Sequence, residues 1–163
     1  MRARGAEPTD VDAIARIYNE GIEDRLATFE TEPRSAEDIR GWLDLGFPLV
    51  VVEADGKVAA WASAHPYSDR AAYAGIGEFS IYVSRARSRQ GLGRAGLEAL
   101  IAECEKRGYW KLVSRIFPEN EASLALCREL GFREVGVYRR HGKLDGEWRD
   151  CVIVERLLGE AAR

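Results

Sequence analysis

The hydrophobic and polar positions of this chain change period several times, and each change marks an element. Val11, Ile14, Ile17 and Tyr18 share one face of a 3.6-residue repeat, and Pro8-Thr9-Asp10 supplies helix-start chemistry before them. This predicts a helix over about Asp10 to Glu23, preceded by a short strand over Arg2 to Glu7. Ser35, with Asp38 three residues on, makes a capping-box-like start for a second helix over Ala36 to Leu45. Leu49 to Glu53 is apolar and β-branched, Asp55-Gly56 is a two-residue hairpin signal, and Lys57 to Ala64 continues the pattern, which together predict an antiparallel hairpin. Glu78 to Val83 alternates with period two and runs directly into a turn rich in arginine and glycine.

Beyond that turn Leu92, Leu97, Leu100 and Ile101 return to helical spacing as far as Gly108, which stands where a C-cap glycine is expected. Lys111 to Phe117 reads as a strand, Pro118-Glu119-Asn120 breaks it, and Leu124, Leu126, Cys127 and Leu130 give a short helix closed by Gly131. Phe132 to Tyr138 and Cys151 to Leu158 read as closing strands, with Lys143 to Asp150 as their polar connection. With no repeat, linker or low-complexity tract, the economical reading is a single mixed α/β domain over residues 1–163.

Composition narrows the partners. The chain has 163 residues, 46% of them hydrophobic, enough to bury a core, and its net charge of -3 offers no global attraction to nucleic acid or to an anionic membrane. No apolar run approaches the roughly 20 residues of a membrane helix and the N-terminus lacks a signal-peptide stretch, so a cytoplasmic protein is expected. Cys104, Cys127 and Cys151 are odd in number and widely spaced, which suits neither a disulfide framework nor a paired zinc motif. The only histidines, His65 and His141, have no clustered partners, so no metal site is expected.

The turn after Val83 carries the chemistry. From Ser84 to Ala95 the chain reads Ser-Arg-Ala-Arg-Ser-Arg-Gln-Gly-Leu-Gly-Arg-Ala, with four arginines and two glycines between a strand and a helix. Glycines let backbone N–H groups approach a phosphate, and a helix N-terminus adds unpaired donors and a favourable dipole. A nucleotide-hydrolysing P-loop would need Gly-Lys-Ser/Thr, whereas Gly93 is followed by Arg94 and Ala95. Gly91 to Gly96 matches G-x-G-x-x-G literally, yet no parallel β-α-β unit with an acidic end to the next strand follows. A solvated arginine-rich helix cap is the plain structural alternative.

In this turn the sequence resembles the GNAT superfamily, whose pyrophosphate loop is Q/R-x-x-G-x-G/A between a strand and a long helix. Aligning Gly91 and Gly93 with the loop glycines puts Ser88 at the Gln or Arg position, a departure from the pattern; sliding by two gives Gln90 to Ala95, a literal match. A second signature, Asn120 to Phe132, resembles the family's N-x-x-S-x-x-L-y-x-x-x-G-F. Within the superfamily the resemblance is to phosphinothricin and arsinothricin N-acetyltransferases and covers nearly the whole chain. It rests on Thr28 to Pro33, Arg70 to Tyr73, Glu78 to Val83 and Gly142 to Asp150.

The resemblance implies a GNAT fold, with a central mixed, mostly antiparallel sheet flanked by helices, acetyl-CoA as cosubstrate, and a homodimer. It implies that acetyl-CoA lies along Ile81, Tyr82 and Val83, with a backbone N–H near Val83 polarising the thioester, and on Arg89, Gln90, Gly91, Leu92, Gly93 and Arg94. Asn120 and Ser123 would hold the pantetheine or phosphate portion, although both also read as helix-capping residues. Glu78 stands at the family's catalytic glutamate, a base acting directly or through water. Cys127 stands where the family frequently has Tyr, or His in near relatives, as acid for the leaving thiolate; a thiol could donate that proton, but a buried packing residue, with CoA leaving as thiolate, is the preferred reading. Arg70 suits a tetrahedral oxyanion on the acceptor, with Tyr73, Ser80 and Phe29 as further pocket residues. Lys143, Trp148 and Asp150 resemble a family element near the dimer contact. The expected activity is acetylation of the α-amino group of such an amino-acid analogue. Methionine sulfoximine, a polyamine, a protein N-terminus, or a CoA-binding role without turnover are the other readings.

Overall fold

The computed structural model describes residues 1–163. Strands β1 (Arg2–Gly5), β2 (Leu49–Ala54), β3 (Lys57–Pro66), β4 (Ile76–Val83), β5 (Lys111–Ile116), β6 (Arg133–Leu144) and β7 (Glu147–Leu157) form one sheet in the order β1-β2-β3-β4-β5-β7-β6. Every neighbouring pair is antiparallel except β4 and β5. Helices α1 (Val11–Asp24), α2 (Ala36–Asp44), α3 (Leu92–Lys106) and α4 (Glu121–Glu129) cover its two faces. None of them is long and apolar enough to cross a membrane.

Period-two alternation decides which face each strand residue serves. Val50, Ala62, Phe79 and Leu112 point to the side where Leu97, Leu100 and Ile101 of α3 and Leu124 of α4 complete one core. Val51, Trp61 and Tyr82, each an odd number of residues from its strand's member of that set, point to the other side and pack with Ile14, Ile17, Tyr18 and Ile22 of α1 and Ile39 of α2. The local signals act as their chemistry requires. Ser35 Oγ accepts from the Asp38 N–H while Asp38 accepts from the Ser35 N–H, closing the capping box. Asp55 and Gly56 both take positive φ in the β2–β3 turn, the geometry of a tight two-residue hairpin.

The closing hairpin differs from the sequence expectation. Lys143 to Asp150 is not a connection: β6 runs to Leu144, β7 starts at Glu147, and Lys143 pairs with Trp148. The turn is Asp145-Gly146, again with both φ values positive. The polar composition reflects exposure of this end of the hairpin, because a strand open to water on its faces needs no apolar alternation.

One close packing contact gives a test of the α1–sheet layer. A Cβ added at Gly21 would lie 2.6 Å from the Tyr82 ring, which is buried and stands with its centroid 4.9 Å from Trp61 and 5.0 Å from Tyr18. Gly21→Ala gains about 1 kcal/mol of helix propensity, but overpacking a ring with nowhere to retreat costs about 1–3 kcal/mol. The expected result is a net loss of stability and a melting temperature lowered by roughly 2–4 °C. A melting temperature at or above that of the unsubstituted protein would mean that Tyr82 has room to yield.

Candidate active site

The site begins where the sheet opens. β4 and β5 pair only at Ile76–Lys111, Gly77–Leu112 and Glu78–Val113, after which Phe79 to Val83 of β4 pair with β3 alone. The Ser114 hydroxyl donates to the Phe79 carbonyl at 3.0 Å across the parting. Into the opening runs a cavity of about 140 Å³ lined by Glu78 to Tyr82, by Ser114 to Phe117 at the end of β5 and just beyond it, by Thr28 and Phe29, and by Asn120, Ser123 and Cys127. A second cavity of about 730 Å³, lined by Arg70, Tyr73, Lys111, Tyr138 and His141 among others, lies on the Glu78 side. Three residues line both: Glu78, Ser114 and Arg115.

The turn between β4 and α3 has an N-terminus prepared for an anion. Arg89 and Gly91 take positive φ, Gly91 caps α3, and the first N–H groups of this helix of 15 residues follow it. Of the four arginines expected to supply charge, three are already engaged. Arg85 reaches Glu23 and Asp24 at the end of α1, Arg87 reaches Asp55 in the β2–β3 turn at 2.6 Å, and Arg94 reaches Glu98 and Glu129. Arg89 is the one among them without an ion pair, and it is exposed beside Gln90 and Gly91.

The remaining expected residues fall into the two cavities. Ser80, Ile81 and Tyr82 line the inner one, where Tyr82 is buried and burial pushes its phenol up from the ordinary value. Phe29 meets Phe117 edge-on at 4.9 Å. Asn120 caps α4, its side-chain oxygen accepting from the Ser123 N–H at 3.3 Å, so the capping role and a place in the cavity wall coexist. Arg70 is exposed at the rim of the outer cavity, near the edge-on pair Tyr67 and Tyr73. Cys127 is buried in the α3–α4 core, and burial pushes its thiol up to about 12. His65 packs between Trp42 and Phe47, and His141 against Tyr138.

Sequence reasoning passed over Arg115. Its Nη2 donates to Glu78 Oε1 at 2.7 Å, so the carboxylate at the junction of the two cavities carries a guanidinium partner. The one available signal was a cation inside the strand Lys111 to Ile116, on the same face as Val113, which stands opposite Glu78.

The profile of the Acetyltransferase (GNAT) family matches residues 14–132, most of the chain. The chain belongs to this family. As a GNAT protein it is an acetyl-CoA-dependent N-acetyltransferase, and its relatives lie near the phosphinothricin acetyltransferases. It is 36% identical over 154 residues to a phosphinothricin N-acetyltransferase of Alcaligenes faecalis, covering 91% of this chain and 78% of that protein. It is 30% identical over 166 residues to an L-methionine sulfoximine/L-methionine sulfone acetyltransferase of Salmonella typhimurium, covering 99% and 97%. Among solved structures, the GNAT superfamily phosphinothricin acetyltransferase of Sinorhizobium meliloti in complex with acetyl-CoA superposes with a TM-score of 0.90 at 32% identity, covering 98% of this chain and 89% of that one. The seven-stranded mixed sheet with four helices is the GNAT fold.

Proposed function

We propose that this acetyltransferase acetylates the α-amino group of a small amino-acid analogue with a tetrahedral oxyanion at its far end, of the phosphinothricin or arsinothricin kind, and thereby detoxifies it. The observation that carries this reading is the meeting of the two cavities at Glu78, with Arg70 at the rim of the outer one. An acceptor that enters from the outer cavity brings its amine to Glu78 and leaves a distal anion near Arg70. The names of the relatives act in the same direction, and the methionine sulfoximine relatives make that analogue, an α-amino acid whose distal tetrahedral group is uncharged, a second candidate acceptor.

The chain's residues fit acetyl-CoA. The αL turn at Gly91, the α3 N-terminus, unpaired Arg89 and neighbouring Gln90 suit a pyrophosphate, with Leu92, Gly93 and Arg94 in the first helical turn. The parted edge of β4 at Ile81, Tyr82 and Val83 suits the pantetheine arm and the acetyl group, with Asn120 and Ser123 on the facing wall. When bound, acetyl-CoA supplies an activated acetyl carbon on a thiol leaving group. Glu78 takes the proton of the acceptor ammonium, directly or through water, since its side chain is 35% exposed. The neutral nitrogen then bonds the acetyl carbon while a backbone N–H near Val83 stabilises the charge on the carbonyl oxygen, and as the carbon–sulfur bond breaks the nitrogen gives up its second proton to solvent.

Cys127 stands in this reading as a packing residue. A thiol that burial pushes up to about 12 is a weaker acid than an ordinary thiol, so giving its proton to a CoA thiolate runs uphill. The thiolate departs and takes its proton from solvent. Cys127→Ala should therefore keep kcat within about threefold and preserve the pH profile from pH 7 to 10, where the native thiol does not titrate. Loss of the alkaline limb in the variant would restore Cys127 as the acid.

Arg70→Ala should raise KM for phosphinothricin on the order of 10-fold or more, through loss of a charge-assisted pair, while KM for acetyl-CoA stays unchanged. Steady-state kinetics with phosphinothricin, arsinothricin and methionine sulfoximine check both this effect and the order of acceptors; equal KM values for the variant and the native enzyme would remove Arg70 from the site. The reading includes one domain over residues 1–163 and a homodimer with Lys143, Trp148 and Asp150 near the contact, supported by the exposure of Trp148 at the tip of the long outer hairpin.

A further inference from the structure

We infer that Arg115 is the receptor for the α-carboxylate of the acceptor, so that Glu78 and Arg115 together read the zwitterion at its α-carbon. This rests on the acetyl transfer to an amino-acid analogue proposed above. In an α-amino acid the ammonium and the carboxylate are attached to one carbon, so a base that takes the ammonium needs a cation directly beside it for the carboxylate. Arg115 stands at that place. Its Nη2 lies 2.7 Å from Glu78 Oε1, and it lines both cavities at the point where they join. Among the cations of the two cavity walls, Arg70 lines only the outer one and Lys111 is held by Glu155 at 2.8 Å.

The guanidinium has capacity to spare. It carries five N–H donors, and the bond to Glu78 is its one hydrogen bond within the chain. Both partners are partly exposed, at 48% for Arg115 and 35% for Glu78, and an ion pair so open to water adds little to stability. Its planar fork matches a carboxylate in two parallel bonds, a fit that an ammonium would not give. One arginine in contact with Glu78 and another that lines only the outer cavity thus match an acceptor with two anionic groups: Arg115 for the α-carboxylate and Arg70 for the distal oxyanion. A polyamine or a peptide N-terminus lacks an α-carboxylate and would leave Arg115 without the partner that its position serves, which discriminates against both.

The test compares phosphinothricin with its α-carboxamide, and methionine sulfoximine with its α-carboxamide, as acceptors for the native enzyme, Arg115→Gln and Arg115→Lys. The native enzyme should prefer each carboxylate on the order of 10- to 100-fold in kcat/KM. Arg115→Gln should lose most of that preference by slowing the carboxylates while leaving the carboxamides within a few-fold, and Arg115→Lys should restore part of it. A native enzyme that acetylates carboxylates and carboxamides alike overturns the inference without recourse to any variant. An equal loss on both acceptors in Arg115→Gln also overturns it, because Arg115 would then only position Glu78; in either case the proposed function stands. Turnover of simple amines but of no α-amino acid would overturn the inference together with the proposed function.

Discussion

Glu78→Gln is expected to lower kcat for acetyl transfer by about 10²- to 10⁴-fold, the usual range for removal of a general base. The substitution is chosen because it spares the structure. The amide oxygen of Gln still accepts from Arg115 Nη2, the side-chain volume is unchanged, and the β4 pairing with His65 and Val113 involves only backbone. What is lost is the ability to hold the acceptor's proton. Acetyl-CoA binding, measured separately by calorimetry, should be unaltered, because the groups placed on the cofactor lie beyond Glu78 along β4, in the turn that follows it, on α3 and at the start of α4. A variant that releases CoA within a few-fold of the native rate would show that Glu78 is only the ion-pair partner of Arg115 and that the base is elsewhere.

Trp61→Ala is expected to destabilise the fold by about 3–5 kcal/mol, against a typical total of about 5–15 kcal/mol. Trp61 is fully buried in β3 and stands at the centre of an aromatic group, with ring centroids 4.9 Å from Tyr82, 5.5 Å from Tyr18 and 5.6 Å from Trp42. These residues come from the neighbouring strand β4 and from α1 and α2, so the indole joins two helices to the sheet. Its removal leaves a void between rings that are themselves packed and unable to close in. The indole Nε1 has no protein acceptor, so Trp61→Phe forfeits less than its lost area implies and should retain most of the stability. Denaturant unfolding of both variants measures the difference, and a loss under about 1 kcal/mol for Trp61→Ala would show that the rings collapse into the gap. Because Tyr82 also lines the inner cavity, Trp61→Ala should weaken acetyl transfer even at temperatures where it stays folded.

Elements whose signals are local were legible in the sequence. The Ser35 and Asp38 capping box, the Asp55-Gly56 turn and the alternation from Glu78 to Val83 all depend on neighbours within a few residues, and each forms as its chemistry predicts. The tip of the β6–β7 hairpin was not read, because exposed strands carry no apolar period; its Asp145-Gly146 turn was the available signal. Long-range pairing was equally invisible. Arg85, Arg87 and Arg94 read as free positive charge; Glu98, four residues after Arg94 on α3, was the one local partner, while the other acids stand on α1, in the β2–β3 turn and on α4, distances in sequence that no local pattern spans. The parting of β4 from β5 that makes the cavity follows from three-dimensional pairing alone. Arg115 escaped notice for the same reason, since only the parallel register places it beside Glu78.

The central claim is the transfer of acetyl from acetyl-CoA to the amine of a small amino-acid analogue. Its most direct test is the rate of CoA release by purified protein at pH 8, with phosphinothricin, arsinothricin or methionine sulfoximine as acceptor and with none. The expected result is release that depends on acceptor, saturates with it, and yields one N-acetylated product per CoA released. Demonstrable acetyl-CoA binding with no release above the acceptor-free rate for any of the three would contradict it.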